Sequence, residues 1–87
     1  MEAHFTDARI LVAGLGLIGG SIAKALKDAG CRNIEGLDAD AEVLRAARAD
    51  GVILSEFRAD GSRYDCVICS LPPRLVAPLY EQVRGSL

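Results

Sequence analysis

The chain has 87 residues, 51% hydrophobic and 25% charged, with ten Lys and Arg against twelve Asp and Glu for a formal net charge of −2. That length suits one small globular domain, which buries only about 60–65% of its unfolded surface. The charge balance excludes a basic footprint for nucleic acid or a polybasic membrane patch, and no apolar run approaches the ~20 residues that span a bilayer.

Met1 to Asp7 forms a short polar lead, expected to be loosely ordered. It lacks a basic region followed by an apolar core, so no signal peptide is expected and a cytoplasmic location is the default. His4, the single histidine, falls in this lead and is read as solvated. Arg9 to Ala13 then reads as strand one. Its apolar run without polar alternation suits a strand buried on both faces of a parallel sheet.

That run enters Gly14-Leu15-Gly16-Leu17-Ile18-Gly19 directly, and a helical pattern follows from about Leu17 to Ala29. The three glycines have separate tasks in a dinucleotide-binding turn. Gly14 turns the chain off the strand, Gly16 lets backbone approach a pyrophosphate, and Gly19 lets the helix pack tightly on the strand. The helix N-terminus adds unpaired N–H groups and partial positive charge. Ile18, Ile22, Ala25, Leu26 and Ala29 form the predicted apolar face, and Gly30 is the expected residue just past the helix end.

Strand two is predicted over Asn33 to Asp38, with Ile34 and Leu37 as its apolar members. Asp38 lies 24 positions after Gly14, close to the spacing of a carboxylate that accepts ribose hydroxyls. A 2′-phosphate there would meet that carboxylate and Asp40, so NAD is expected over NADP. Asp40 also suits the N-cap of a second helix over about Ala41 to Asp50, with a thin apolar face of Val43, Leu44 and Ala47. Gly51 ends it, and Val52-Ile53-Leu54 reads as a short third strand.

Residues 55–63 read as a polar loop with one helical turn after Ser55, a turn at Asp60-Gly61, and Phe57 folding back onto the core. Strand four is predicted within Asp65 to Ser70, stopped by Pro72-Pro73. Cys66 and Cys69 share one strand, where residues three apart point to opposite faces, so they are read as small buried apolar residues. Pro78 argues for a last helix that starts there as its first residue and runs to about Arg84, leaving Gly85 to Leu87 frayed.

Right-handed crossovers arrange these elements as an α/β Rossmann-type parallel sheet in the order 3-2-1-4 with flanking helices, the first half of a dinucleotide-binding domain filling residues 1–87. The crevice between strands one and four is then lined by Gly14, Leu15, Gly16, Leu17, Ile18, Gly19, Asp38, Ser70, Leu71 and Pro72. Strand four is left as an apolar edge that favours self-association.

Gly14 to Ser21, with Ile22-Ala23 and Ala25-Leu26, resembles the cofactor-binding start of prephenate and arogenate dehydrogenases. Gly36-Leu37-Asp38, Ala47 to Ile53 and Asp65 to Pro72 extend the resemblance over roughly residues 9 to 84. It implies NAD-dependent oxidative decarboxylation of prephenate in tyrosine biosynthesis, with Ser70 to Pro72 on the nicotinamide side. It also implies a homodimeric parent enzyme whose catalytic histidine and substrate arginine lie outside this chain. A standalone nucleotide-binding or interaction module without catalysis is the alternative, and an adenosyl-cofactor methyltransferase a weaker third.

Overall fold

In a computed structural model, residues 5–58 and 63–86 are described. His4, the Asp60-Gly61 turn and Leu87 lie outside them. The elements are β1 (Arg9–Ala13), α1 (Leu17–Asp28), β2 (Asn33–Leu37), α2 (Ala41–Ala49), β3 (Ser55–Glu56), β4 (Cys66–Cys69) and α3 (Val76–Val83), with short 3-10 turns at Phe5–Asp7, Pro73–Leu75 and Arg84–Ser86. All strand pairs are parallel and the order is β3-β2-β1-β4, as the sequence predicts. The register pairs Leu11 with Glu35 and with Val67, so β1 is the central strand and is buried from Ile10 to Ala13.

Two cores follow from strand alternation. Ile10, Val12 and Ile34 face α1 and α2, with Ala23, Leu44 and Ile53. Leu11 and Ala13 face the other way, against Tyr64, Leu79 and Val83. On that second face Glu35 is buried, 5% exposed, in mid-strand. Arg9 donates to it through Nε at 2.8 Å and Nη2 at 3.2 Å, and the Tyr64 hydroxyl donates at 2.6 Å. The Arg9 guanidinium also lies 4.1 Å from the Tyr64 ring centre. Burial raises the Glu35 carboxyl. The bonds from Arg9 and Tyr64, with the charges of Arg9 and Arg58, outweigh it and hold the carboxyl below its ordinary value. Burial and the Glu35 carboxylate push the Tyr64 hydroxyl up.

Both helices on the first face end the same way. Gly30 (φ +102°) and Gly51 (φ +72°) take the left-handed conformation. Gly30 N–H bonds the Lys27 carbonyl and Cys31 N–H the Leu26 carbonyl, and Gly51 and Val52 repeat this on Arg48 and Ala47. These are paired Schellman turns, which only glycine forms without strain.

The second turn corrects the third strand. Val52 and Ile53 spend their N–H groups on the Ala47 carbonyl, so the ladder starts only when Leu54 donates to Ile34. The strand is therefore Ser55–Glu56, so Ser55 pairs in the sheet instead of opening a helical turn, and among the described residues of that loop none is helical. Ile53 plugs the core instead, and Phe57 does fold back, stacked on Tyr64 at 6.0 Å between ring centres.

The apolar face of α1 is rotated from the predicted one. Gly19 and Ala23 are buried and Ile22 and Leu26 half-buried, whereas Ile18 is 70% exposed and Ala25 and Ala29 are exposed. Contact of Gly19 with the backbone of Gly14 sets this rotation. Cys66 and Cys69 are free thiols and exposed rather than buried, because β4 is an edge strand with one strand neighbour. α3 begins two residues before Pro78. Proline is accepted there because first-turn N–H groups have no intrahelical partner to lose. The end of the chain is not frayed at Ser86, which is buried and accepts the Tyr64 N–H at 2.7 Å.

Candidate functional site

At the carboxyl ends of β1 and β4 the backbone makes a tight junction. Gly14 N–H donates to the Leu37 carbonyl at 2.7 Å and Ser70 N–H to the Ala13 carbonyl at 2.8 Å. Gly14 has φ +88°, and a Cβ on it would lie 2.3 Å from the Ser70 carbonyl oxygen. A Cβ on Gly19 would lie 1.7 Å from the Gly14 oxygen. Both glycines are thus required by backbone against backbone. Gly16 differs: it has ordinary φ of −70°, is exposed, and a Cβ there would meet nothing within 4 Å. The fold leaves Gly16 free to be any residue, so its lack of a side chain keeps space open above the loop.

Gly16 is also the N-cap of α1 and supplies no side-chain hydrogen bond to the first turn. The amides of that turn face the same open space, where an anion would find N–H donors and the positive helix end. Leu17 and Ile18 flank it, 94% and 70% exposed.

Asp38 stands at the end of β2 and is half-buried. Its Oδ2 accepts from Leu15 N–H at 2.8 Å and its Oδ1 from Asp40 N–H at 2.9 Å. The carboxylate therefore braces the glycine loop and holds its own turn, a role the sequence reading did not assign to it. The Asp38-Ala39-Asp40 spacing of an Asx turn was the available signal. The cap of α2 falls to Asp40, which accepts from Glu42 N–H at 2.9 Å. Each Asp38 oxygen keeps a lone pair for another donor.

The structure brings the sequence-predicted residues together unevenly. Leu15 turns inward, 7% exposed, into the first core, so only its backbone belongs to the loop. Ser70 and Leu71 are half-buried against the loop, where the Leu71 side chain and the Ser70 carbonyl approach Gly14. Pro72 is exposed and accepts the Leu75 N–H at 2.9 Å.

A parallel sheet wound 3-2-1-4, with a glycine turn, an open helix N-terminus and a braced acid at its carboxyl edge, defines a Rossmann-type dinucleotide-binding module. The family model for the acetohydroxy acid isomeroreductase NADPH-binding domain matches residues 4–87, and the chain belongs to that family. It binds a nicotinamide dinucleotide. Comparison with curated proteins and with solved structures returned no significant match.

This family corrects the resemblance to prephenate and arogenate dehydrogenases, and with it the expected oxidative decarboxylation and the place in tyrosine biosynthesis. The reason is physical. Gly14, Gly19, Asp38 and the Ser70 segment answer to the packing of the strand–helix junction, which is common to Rossmann-type folds of different chemistry. No helix among the described residues is long and apolar enough to cross a membrane.

Proposed function

We propose that this chain is the dinucleotide-holding portion of an acetohydroxy acid isomeroreductase, and that it takes NADH in preference to the NADPH of the family's description. The supporting observation is the fixed Asp38 carboxylate. Two backbone N–H groups hold it at the end of β2, so it cannot swing away from an incoming group. Ala39 and Asp40 follow, and the arginines of α2, Arg45 and Arg48, lie a turn or more further along the chain from the end of β2. A 2′-phosphate would face carboxylates with no cation to offset them, whereas ribose hydroxyls can donate to the free lone pairs of Asp38.

The chain's own residues divide the work. First-turn amides of α1 and the open space over Gly16 hold the pyrophosphate. Asp38 holds the adenosine ribose. Ser70, Leu71 and Pro72 form the wall toward the nicotinamide half. Bound there, the dinucleotide would supply hydride for the reduction in the family's description.

Calorimetric titration at fixed salt tests the preference. NADH is expected to bind about tenfold or more tighter than NADPH, a difference of about 1.4 kcal/mol. Asp38→Asn should narrow that ratio by removing the charge while keeping the side chain's shape. Equal binding of the two cofactors by the unmodified chain refutes the assignment.

A further inference from the structure

The opposite end of the sheet holds a second cavity. α1 and α2 both finish there, in the turns of Gly30 and Gly51, and between them opens a cavity of about 550 Å3 at the start of β2. Ile34 and Ile53, 2% and 3% exposed, close its floor from the core, and Leu54, 63% exposed, is the main apolar side chain open to it. Its charged lining residues among the described ones are Lys27, Arg32 and Arg48, and no described acid lines it. Three cations without an acid is unexpected in a chain of net charge −2.

Two ordinary uses for these cations fall short. The first is ion pairing. Arg32 pairs with Asp7 and Arg48 reaches Glu56 at 3.5 Å, but all four side chains are largely exposed, and such pairs are weak and readily exchanged. Lys27 has no carboxylate partner among the described residues. Its Nζ is held over Gly51, 3.0 Å from where a Cβ would stand. The second is compensation of the helix ends. Two helix C-termini amount to about one negative charge in total, against three positive ones. Three of the four last-turn carbonyls of each helix already accept from the N–H groups of Ala29, Gly30 and Cys31 in α1 and of Asp50, Gly51 and Val52 in α2.

We propose that this cavity binds a small organic carboxylate with an aliphatic body. The carboxylate sits among Lys27, Arg32 and Arg48, and the body lies along Leu54 over the floor that Ile34 and Ile53 close. A bare phosphate fits less well. Such groups favour helix N-termini, whose N–H groups cradle them, and here the helices present their C-termini over an apolar floor. The site is separate from the glycine loop, which lies at the other end of five-residue β2, about 16 Å away. It stands on the cavity alone and does not depend on which dinucleotide the loop takes.

NMR titration of the 87-residue chain with hexanoate tests this, with hexan-1-ol and inorganic phosphate as probes of tail and charge at matched ionic strength. Hexanoate should give saturable amide shifts at Cys31, Arg32, Ile53 and Leu54, with an affinity about tenfold or more above either control. Lys27→Gln should weaken hexanoate binding severalfold and leave NADH binding and the rest of the spectrum unchanged. Lys27 is itself exposed and glutamine keeps most of its stem, so the fold does not depend on the charge removed. Equal binding of hexan-1-ol, equal binding of phosphate, or the absence of saturable shifts at these residues overturns the proposal. So does a Lys27→Gln chain that binds hexanoate as tightly as the original.

Discussion

Gly16 and Gly19 lie three residues apart at the start of α1, yet substitution should separate binding from stability. At Gly19 an added methyl falls 1.7 Å from the Gly14 oxygen, 2.8 Å from the Gly14 carbonyl carbon and 3.2 Å from the Ser70 Cβ. The first two are backbone atoms of a junction held by two hydrogen bonds, so they cannot yield as a side chain would. Restoring ordinary contact moves α1 about 1.5 Å off β1, into the overpacking range of about 1–3 kcal/mol, and the backbone clash places it at the upper end. Alanine recovers about 1 kcal/mol of helix propensity. Gly19→Ala should therefore lose about 2 kcal/mol, a fall in Tm of roughly 8–16 °C for a domain of this size. At Gly16 the added atoms meet nothing within 4 Å and the backbone is already extended. Gly16→Val should change stability by no more than about 1 kcal/mol, the N-cap preference alone, while dinucleotide affinity falls by about a hundredfold or more as the branched side chain fills the open space. Thermal unfolding of each variant, paired with calorimetric titration of NADH, checks both halves. A folded Gly16→Val chain with undiminished affinity, or a Gly19→Ala chain with unchanged Tm, would refute the reasoning.

Three further outcomes are expected. Tyr64→Phe removes a donor from the buried Glu35 carboxylate and should cost about 1.5–3 kcal/mol in urea denaturation. Glu35 is held below its ordinary value of 4.5, so its stabilisation is complete above that pH and is lost as pH falls through the lowered folded-state value. The urea midpoint should drop on acidification below about pH 4.5, and in Tyr64→Phe that drop should be smaller and finish at higher pH, because losing a donor to the carboxylate moves its folded-state value back toward 4.5. Pro78→Ala should change stability by less than about 1 kcal/mol. The proline occupies a first-turn position and contributes mainly by restricting the unfolded chain.

Strand order, both glycine-ended helices and the Asp40 cap could be read from the sequence because each rests on local chemistry. Gly30 and Gly51 are demanded by left-handed turns, and Asp40 by the open amides after it. The features that escaped depend on partners distant in sequence. Glu35 reads as an interruption of a strand until Arg9 and Tyr64, 26 and 29 residues away, surround it. The Val52-Ile53-Leu54 run has the composition of a strand, but its first amides are claimed by α2, so pairing starts later. Helical spacing alone could not choose the buried face of α1, because the contact that decides it is Gly19 on backbone rather than a large apolar side chain. Cys66 and Cys69 look like core residues, and their exposure follows from the position of β4 at the sheet edge. Within the site, the glycine positions and Asp38 were legible. The brace from Asp38 to Leu15 was not, since it joins a side chain to an amide 23 residues away. The family was misread because the quoted matches serve strand–helix junctions and helix packing that Rossmann-type folds of different chemistry share.

Amide hydrogen exchange of the chain with and without saturating NADH tests the central claim most directly, because it reads the loop itself. If Gly16 and the first turn of α1 cradle the pyrophosphate and Asp38 braces that loop from β2, exchange should slow at Leu17, Ile18 and Gly19, and at Leu15 and Asp40, whose N–H groups bond Asp38. Bound NADH that leaves these amides unprotected, or protection confined to other parts of the chain, would contradict the account.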